Sequence, residues 1–324
     1  MSNESAATRS ATFSELFESI ANNIELAILG KAETIRLVLL CLLSEGHLLL
    51  EDSPGVGKTS LAKAVGRSID VEVGRIQFTP DLLPSDVIGI SVWDRSTSQF
   101  DFRPGPVFNS IVVADEINRA SPKTQSALLE AMAERQVTVD RTTHPLPQPF
   151  LVIATQNPLE HEGTYPLPES QLDRFLLRVS IGYPARSAEL EILGSQQADS
   201  ALDRLRPVIS TAQIRGMIRA IRNVHVAPEI KGYLVDLAAA TRNHPGLTLG
   251  MSPRATISLQ RVAQARAAAT GRDFVTPDDV KALASFALGH RVIASPQAYS
   301  RGLTPTDVVT EIVQTIAVPT GTTR

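Results

Sequence analysis

The stretch that decides the fold is EDSPGVGKTS, residues 51–60. It follows a short apolar segment, HLLLE at 47–51, and leads into a helical pattern, LAKAVG at 61–66. A glycine-rich turn between a strand and a helix, ending in the GKT of 57–59, has the spacing of a loop that wraps phosphate groups. Its backbone N–H groups must converge on phosphate oxygens, which requires glycine wherever a Cβ would collide. The sequence therefore predicts an α/β fold that binds a nucleotide.

The part of this loop from Ser53 to Ser60 is predicted to hold a nucleoside triphosphate. Lys58 reaches the β and γ phosphates, and the hydroxyl of Thr59 is a ligand for Mg²⁺. The helix that begins here directs the positive end of its dipole at the phosphates. The predicted cofactor-binding residues are Ser53, Pro54, Gly55, Val56, Gly57, Lys58, Thr59 and Ser60.

The loop departs from the usual pattern at its first position, where Asp52 replaces a glycine. The chain is still leaving the strand at this point, several residues before the turn that wraps the phosphates. A carboxylate aimed inward would repel phosphate, so we expect the Asp52 side chain to point away. On that interpretation, Asp52→Gly leaves the nucleotide affinity within a few fold.

A second apolar segment, SIVVADE at 110–116, ends in two acids. A buried strand delivers Asp115 and Glu116 to the edge of the sheet where ligands bind in open α/β folds. Asp115 would hold Mg²⁺ through its water shell, and Glu116 would accept a proton from the attacking water. Paired acids at a strand end are otherwise often helix caps, but the phosphate loop beside them favours the catalytic interpretation.

The chain divides into an α/β part and a helical part. Five short apolar segments predict buried parallel strands between residues 16 and 184. After 184 the strand signals stop, and repeated helix starters, such as Thr276-Pro277, predict a helical bundle over 207–324. We expect a flexible tail at 1–15 and a linker at 185–206. The predicted strands are 47–51, 75–78, 110–115, 150–155 and 175–181.

Composition excludes several classes of protein. The length of 324 residues predicts about two domains, with 43% hydrophobic and 20% charged residues, as in ordinary globular proteins. Cys41 is the only cysteine, so we expect neither disulfides nor a thiolate metal cluster. The six histidines lack the spacing of metal ligands. The most apolar stretch, 35–50, is interrupted by polar residues, and the N-terminus lacks a secretory pattern. We therefore expect a cytoplasmic protein without an integral membrane segment.

Taken together, these motifs resemble an AAA+ ATPase, and more closely the MoxR family, over about residues 13–318. The resemblance implies an AAA+ P-loop domain with a five-stranded parallel sheet of order 5-1-4-3-2, plus a C-terminal α-helical lid. It also implies that the nucleotide is ATP. The residues that carry it are GHLLLEDSPGVGKT (46–59), VVADEINRASPKTQSALLEAM (112–132), ATQNP (154–158), LPESQLDRF (167–175) and GMSPRA (250–255).

The resemblance also implies three further catalytic residues. Asn157 matches the sensor-1 residue that orients the attacking water, and Arg254 matches the sensor-2 arginine of the lid. Arg174 matches the arginine finger that reaches into the neighbouring subunit's site, with Arg119 and Arg178 as nearby candidates for inter-subunit contact. Without the resemblance, Arg174 reads equally as a surface ion-pair partner of its neighbouring aspartate, and Arg254 as a solvated residue in a first helical turn.

Two insertions resemble working parts of the family. Residues 90–106 resemble the helix-2 insert, and 135–150 resemble the hairpin before sensor 1. Trp93, Phe100 and Phe102 either pack a hairpin onto its own base or contact a client, and packing is the favoured interpretation.

The predicted function is Mg²⁺-dependent ATP hydrolysis by a ring, hexameric by resemblance, that remodels or matures a client protein complex in a chaperone-like way. Family members are often paired with von Willebrand factor A domain proteins, so the resemblance implies such a client or adaptor. Alternatives are a helicase-type nucleic-acid motor, a metal-chelatase motor subunit and a non-hydrolysing nucleotide switch. The basic C-terminal third favours nucleic acid slightly, but the net charge of −3 and the missing aromatic-basic stacking surface argue against it. Glu116 argues against a mere switch, which needs no catalytic base.

Overall fold

The computed structural model of the protein describes residues 2–52, 55–156, 164–184, 186–187, 189–190 and 198–319. The strands are β1 (Leu48–Glu51), β2 (Val73–Gln77), β3 (Gly89–Asp94), β4 (Gln99–Pro104), β5 (Ile111–Asp115), β6 (Gln136–Val139), β7 (Thr142–Pro145), β8 (Leu151–Gln156), β9 (Leu177–Val179), β10 (Leu247–Leu249) and β11 (Ile293–Ala294). The helices are α1 (Ser2–Glu25), α2 (Ala32–Leu43), α3 (Lys58–Ser68), α4 (Pro84–Ile88), α5 (Pro122–Glu134), α6 (Glu169–Leu172), α7 (Ala198–Arg204), α8 (Thr211–Ile221), α9 (Pro228–Asn243), α10 (Pro253–Ala269), α11 (Pro277–Leu288), α12 (Pro296–Ser300) and α13 (Pro305–Thr315).

Five of these strands form the central sheet, in the order β2-β5-β8-β1-β9, and all neighbours are parallel. Read from the other edge, this is the predicted order 5-1-4-3-2, so the predicted fold is confirmed. The carboxyl ends of the strands therefore share one edge, and β1, which leads into the phosphate loop, lies next to the strand of 151–156.

The alternation of side chains along each central strand supplies two separate cores. Leu48 and Leu50 of β1 face helices α1 to α3 and part of the lid, whereas Leu49 faces α5. The strands β5 and β8 alternate in the same way. Because both faces of β1, β5 and β8 are covered by helices, these three strands are apolar up to their carboxyl ends, as their sequences predicted. Cys41 is fully buried in the first of these cores, where burial raises the pKa of its thiol.

The C-terminal part is the predicted helical lid, with one addition. The predicted starter Thr276 stands directly before a helix, and Ser210, Ser252 and Thr304 are the N-caps of three other helices of the lid. The lid also contains a short antiparallel pair, β10 and β11, which the sequence analysis missed. Strands of two or three residues are too short for a two-residue periodicity to be recognised.

Helix α1 begins at Ser2, and so it runs through the stretch 1–15 for which a tail was expected. The side chains of Phe13 and Phe17 are buried in the core. The Ser14 hydroxyl donates to the carbonyl of Ala269 in the lid, at 2.9 Å. The polar composition of this stretch gave no helical pattern in the sequence. Packing of Phe13 and Phe17 in the core and the contact of Ser14 with the lid stabilise the helix.

Helix α7 lies in the second half of the stretch 185–206, for which a linker was expected. Leu202 and Leu205 are buried, and Arg67 at the end of α3 pairs with Asp203 at 2.8 Å. This short helix therefore belongs to the packed body of the protein. Within the described ranges, every helix is too short or too polar to cross a bilayer.

The two predicted insertions are antiparallel hairpins, β3–β4 and β6–β7. They contact each other where the Phe102 ring stacks on the His144 ring, with centroids 4.0 Å apart. Phe102 thus has the packing role that the sequence favoured. Trp93 and Phe100 contact each other edge to face at 5.1 Å, yet they are 50% and 70% exposed. Their side chains leave an aromatic surface at the hairpin.

Candidate nucleotide-binding and hydrolysis site

The phosphate loop turns through two glycines with left-handed backbones. Gly55 has φ of 85° and Gly57 has φ of 90°, a region that side-chain-bearing residues rarely adopt. Helix α3 begins directly afterwards at Lys58, and the Leu61 N–H bonds the Gly57 carbonyl at 2.9 Å. The free N–H groups of the first helical turn and its dipole thus lie at the loop, where an anion is favoured. Two predicted loop residues, Ser53 and Pro54, lie outside the described residues.

Lys58 is the cation of this loop. Its Nζ donates to the carbonyl of Asp52 at 2.7 Å. Burial lowers its pKa, while the nearby carboxylates of Asp52, Asp115 and Glu116 oppose that shift. An ammonium group has three donors, so one bond to a carbonyl leaves two for phosphate oxygens.

Asp52 points away from the loop, as expected from its position at the strand end. Its carboxylate accepts from the Ser180 hydroxyl and the Ile181 N–H, each at 2.6 Å, and from the Gly182 N–H at 3.0 Å. Lys31 donates to the carbonyls of the same segment. Asp52 is only 7% exposed. The residue that departs from the usual motif therefore fixes the chain that leaves strand β9.

The two predicted acids stand at the end of β5, next to the phosphate loop. Asp115 is 8% exposed, and its Oδ2 accepts from Arg75 Nε at 2.7 Å. The Thr155 hydroxyl donates to Asp115 Oδ1 at 3.3 Å and accepts from the Glu116 N–H at 2.9 Å. Thr155, at the end of β8, thus holds both acids.

Glu116 has a left-handed backbone with φ of 58°, which is costly for a residue with a side chain. Its carboxylate accepts from Gln77 Nε2 at 3.1 Å and lies 3.1 Å from Arg119 Nε. The turn separates the two acids, so that Asp115 stays in the sheet while Glu116 is directed along its edge. Strain of this kind persists where the surroundings impose it, and it is concentrated at functional sites.

These parts enclose a cleft of about 340 Å³ at the carboxyl edge of the sheet. Asp115 and the Thr59 hydroxyl both line it, and oxygen atoms of this kind are the ligands that Mg²⁺ prefers. Mg²⁺ commonly binds through one or two carboxylates together with phosphates and waters, so the donor set fits. The lining residues are Gly55, Gly57, Lys58, Thr59, Ser60, Arg75, Gln77, Asp115, Glu116 and Thr155.

Three residues of this cleft, Arg75, Gln77 and Thr155, were absent from the sequence prediction. Arg75 and Gln77 are two apart on β2, so they share one face, and Arg75 donates to the Gln77 side chain at 3.0 Å. Only the strand order, in which β2 and β8 flank β5, places the polar residues at the carboxyl ends of these strands near the acids of SIVVAD.

The predicted arginines lie away from this cleft. Arg174 and Arg254 line a second cavity, of about 280 Å³, between the core and the lid. Arg174 donates to the Leu129 carbonyl at 2.6 Å, while Asp173 pairs with Arg291 and Arg254. Arg174 and Asp173, a possible ion pair on the sequence alone, thus each contact other residues. Asn157 lies outside the described residues.

Comparison with known proteins decides the family. The sequence profile of the ATPase family associated with various cellular activities (AAA) matches residues 47–177, and that of the AAA lid domain matches residues 239–312. Chaperone MoxR1 of Mycobacterium tuberculosis is 39% identical over 301 residues, which cover 90% of this chain and 79% of that protein. The chain belongs to the MoxR family of AAA+ ATPases. As a member of this family it binds nucleotide and hydrolyses ATP.

Two further relatives show that the similarity extends along nearly the whole chain. The uncharacterized protein YeaC of Bacillus subtilis is 48% identical over 304 residues, covering 94% of this chain and 95% of its own. A crystal structure of a Cytophaga hutchinsonii protein, described as a candidate ATPase, superposes with a TM-score of 0.89 at 35% identity. It covers 98% of this chain and 99% of its own. The solved structure therefore resembles this MoxR protein over both the core and the lid.

Proposed function

We propose that this MoxR protein is a Mg²⁺-dependent ATPase whose active site is completed by a neighbouring subunit in a ring, and that it remodels a client protein complex. The observation that carries the proposal is the division of the predicted residues between two cavities. Lys58, Thr59, Asp115 and Glu116 line the cleft at the phosphate loop, whereas Arg174 lines the cavity between core and lid.

Within the cleft, each residue has a distinct task. The loop N–H groups and Lys58 hold the phosphates, and Thr59 and Asp115 would hold Mg²⁺. A bound Mg²⁺ neutralises phosphate charge. Glu116 accepts the proton of the attacking water, after its carboxylate leaves Gln77 and Arg119. Thr155 keeps the backbone of Glu116 in place during this change, because its hydroxyl also holds Asp115.

The neighbouring subunit supplies the remaining positive charge. Arg174 and Arg254 lie in a cavity whose described lining residues do not include the phosphate loop. A guanidinium brings a planar, permanently charged fork to phosphate oxygens, so either arginine suits the γ-phosphate of the next subunit. A site divided in this way operates only in an oligomer, and the resemblance makes a hexamer the proposed ring.

The proposed work of the ring is chaperone-like remodelling of a client. The name of the relative MoxR1, a chaperone, supports this, and so does the exposed aromatic pair Trp93 and Phe100 on the first hairpin. A protein with a von Willebrand factor A domain is the proposed client or adaptor. A cytoplasmic location, expected from the sequence, stays a prediction.

The test mixes two inactive variants. Glu116→Gln removes the base but leaves its subunit able to supply Arg174, and Arg174→Ala removes the finger but leaves its own cleft intact. Each variant alone is expected to have at most about a hundredth of the wild-type turnover. Rings assembled from an equal mixture should regain turnover, since about a quarter of the sites then pair an intact cleft with an intact finger. A mixture as inactive as its components would contradict a shared site.

A further inference from the structure

The segment that carries Arg174 is held from the lid by a buried arginine, Arg291. Its Nη2 lies 3.0 Å from the carbonyl of Asp173 and 2.9 Å from that of Phe175. These two carbonyls stand on either side of Arg174 in the chain. Its Nε also lies 3.2 Å from the Asp173 carboxylate. One guanidinium therefore fixes the backbone on both sides of the predicted finger.

Arg291 is placed where a charge is expensive. Its side chain is 2% exposed, and burial lowers its pKa to about 10, so it remains charged at neutral pH. Its Nη1 and Nε are both buried without a hydrogen-bond partner among the described residues, so Nε is joined to Asp173 by charge alone. A buried charge is retained at some cost in stability unless it is well paired. An apolar side chain here would leave the carbonyls of Asp173 and Phe175 without this donor, so the charge is retained for the backbone that it binds.

The same aspartate reaches the second predicted arginine. The Asp173 carboxylate lies 3.9 Å from Arg254 Nε and accepts from the Ser252 hydroxyl at 3.4 Å. Ser252 is the N-cap of α10, whose first turn contains Arg254. Arg291 and Asp173 thus join the finger segment to the start of the helix that carries Arg254.

We propose that Arg291 is a positioning residue that fixes Arg174 to the lid, so that Arg174 and Arg254 reach the neighbouring subunit's triphosphate as one unit. This rests on the proposed shared site. Arg291 touches neither the nucleotide nor the water. It acts by excluding other positions of the 173–175 backbone, and a displacement of about 1 Å in such a group costs about a hundredfold in rate.

The experiment places Arg291→Met in one subunit type of the mixed rings at a time. Donor subunits carry Glu116→Gln and supply the finger, and acceptor subunits carry Arg174→Ala and supply the cleft. In the donor, Arg291→Met should lower kcat of the mixture about ten- to a hundredfold, with KM for ATP unchanged. In the acceptor, the same change should leave turnover within about twofold, because the finger of that subunit is already absent.

Two controls separate positioning from folding. Arg272→Met removes another lid arginine, which pairs with the buried Asp279 at 2.6 Å but lies away from residues 173–175. It should act equally in donor and acceptor. Arg291→Lys retains the charge and should restore part of the donor activity. Subunit folding is checked by thermal melts and ring assembly by sedimentation.

The outcomes are distinct. Loss confined to the donor supports a positioning role for Arg291. Equal loss in donor and acceptor, or a donor loss that Arg272→Met reproduces, overturns it and leaves Arg291 as a structural residue of the lid. If the parent mixture without Arg291→Met is inactive, the shared site itself is wrong. If Arg291→Met subunits do not fold, Arg291→Lys is compared in the same two positions. A loss of turnover confined to the donor then supports the positioning role, and an equal loss in donor and acceptor overturns it.

Discussion

Replacing Asp52 by glycine would restore the usual phosphate-loop pattern, and we predict that it costs stability rather than improving nucleotide binding. The Asp52 carboxylate is buried and accepts three hydrogen bonds from the 180–182 segment. A hydrogen bond to a charged group contributes about 1.5–3 kcal/mol. Because two of the three donors are only partly buried, water can replace the carboxylate there, and we expect a net loss of about 2–4 kcal/mol.

The effect on ATP binding should be small and of the opposite sign. The carboxylate lies behind the loop, so its removal relieves a repulsion that is partly screened, of about 0.5–1 kcal/mol. This corresponds to an ATP affinity that is raised by a few fold at most.

The assay combines urea unfolding with titration of a fluorescent ATP analogue, for wild type, Asp52→Gly and Asp52→Asn. Asp52→Asn retains the shape but places an amide against N–H donors, so its stability should lie below that of wild type as well. Ser180→Ala, which removes one of the three donors, is the matched control and should cost about 1 kcal/mol. A tenfold or larger change in ATP affinity with unchanged stability would show that the carboxylate faces the nucleotide and would refute this reasoning.

Three further predictions follow from contacts in and around the two cavities. Arg254→Ala should lower kcat at least about tenfold while leaving the Kd for ATP of dilute, unassembled subunits unchanged. The Kd is measured by equilibrium binding below and above the concentration at which subunits assemble. Weaker binding in isolated subunits would mean that Arg254 serves its own cleft. Arg75→Ala should lower the Mg²⁺ concentration for half-maximal turnover by a few fold, because Arg75 Nε lies 2.7 Å from Asp115 Oδ2 and competes with Mg²⁺ for that carboxylate. An unchanged or higher Mg²⁺ requirement would count against Asp115 as the ligand. Burial lowers the pKa of His47 from 6.5 to about 4, so between these pH values the unfolded chain binds a proton that the folded chain does not. The free energy of unfolding should therefore fall as the pH drops from 6.5 to 4, by up to roughly 3 kcal/mol. His47→Gln should flatten the pH dependence of the urea midpoint, and an equally steep dependence would assign the effect to other groups.

The sheet and the phosphate loop could be predicted from the sequence because their signals are local. Residues 51–60 contain the whole loop, and the inner strands β1, β5 and β8 are short runs of apolar residues with both faces buried. The order of the strands came from the resemblance, since no local pattern states which strand lies beside which. The direction of the Asp52 side chain was foreseen from its place before the turn, but its partners, 128 to 130 residues further along the chain, were not.

The parts that sequence reasoning missed depend on tertiary contacts. Helix α1 contains few apolar residues, and those that are buried, Phe13, Phe17, Ile20, Ala21 and Ile24, pack against other elements. Arg75 and Thr155 become site residues only because β2 and β8 flank β5 in the sheet. The contact of Arg291 with the finger segment joins residues more than a hundred positions apart. The spacing of motifs cannot show such a pair.

The claim that this MoxR protein hydrolyses ATP at a site shared between subunits is tested most directly by measuring ATP turnover per chain over a wide range of protein concentration, with Mg²⁺ present. We predict that turnover per chain is very low in dilute solution, rises as subunits assemble and then levels off, and that Arg174→Ala abolishes the plateau without preventing assembly. Turnover per chain that is the same at every concentration, and insensitive to Arg174→Ala, would contradict the shared site.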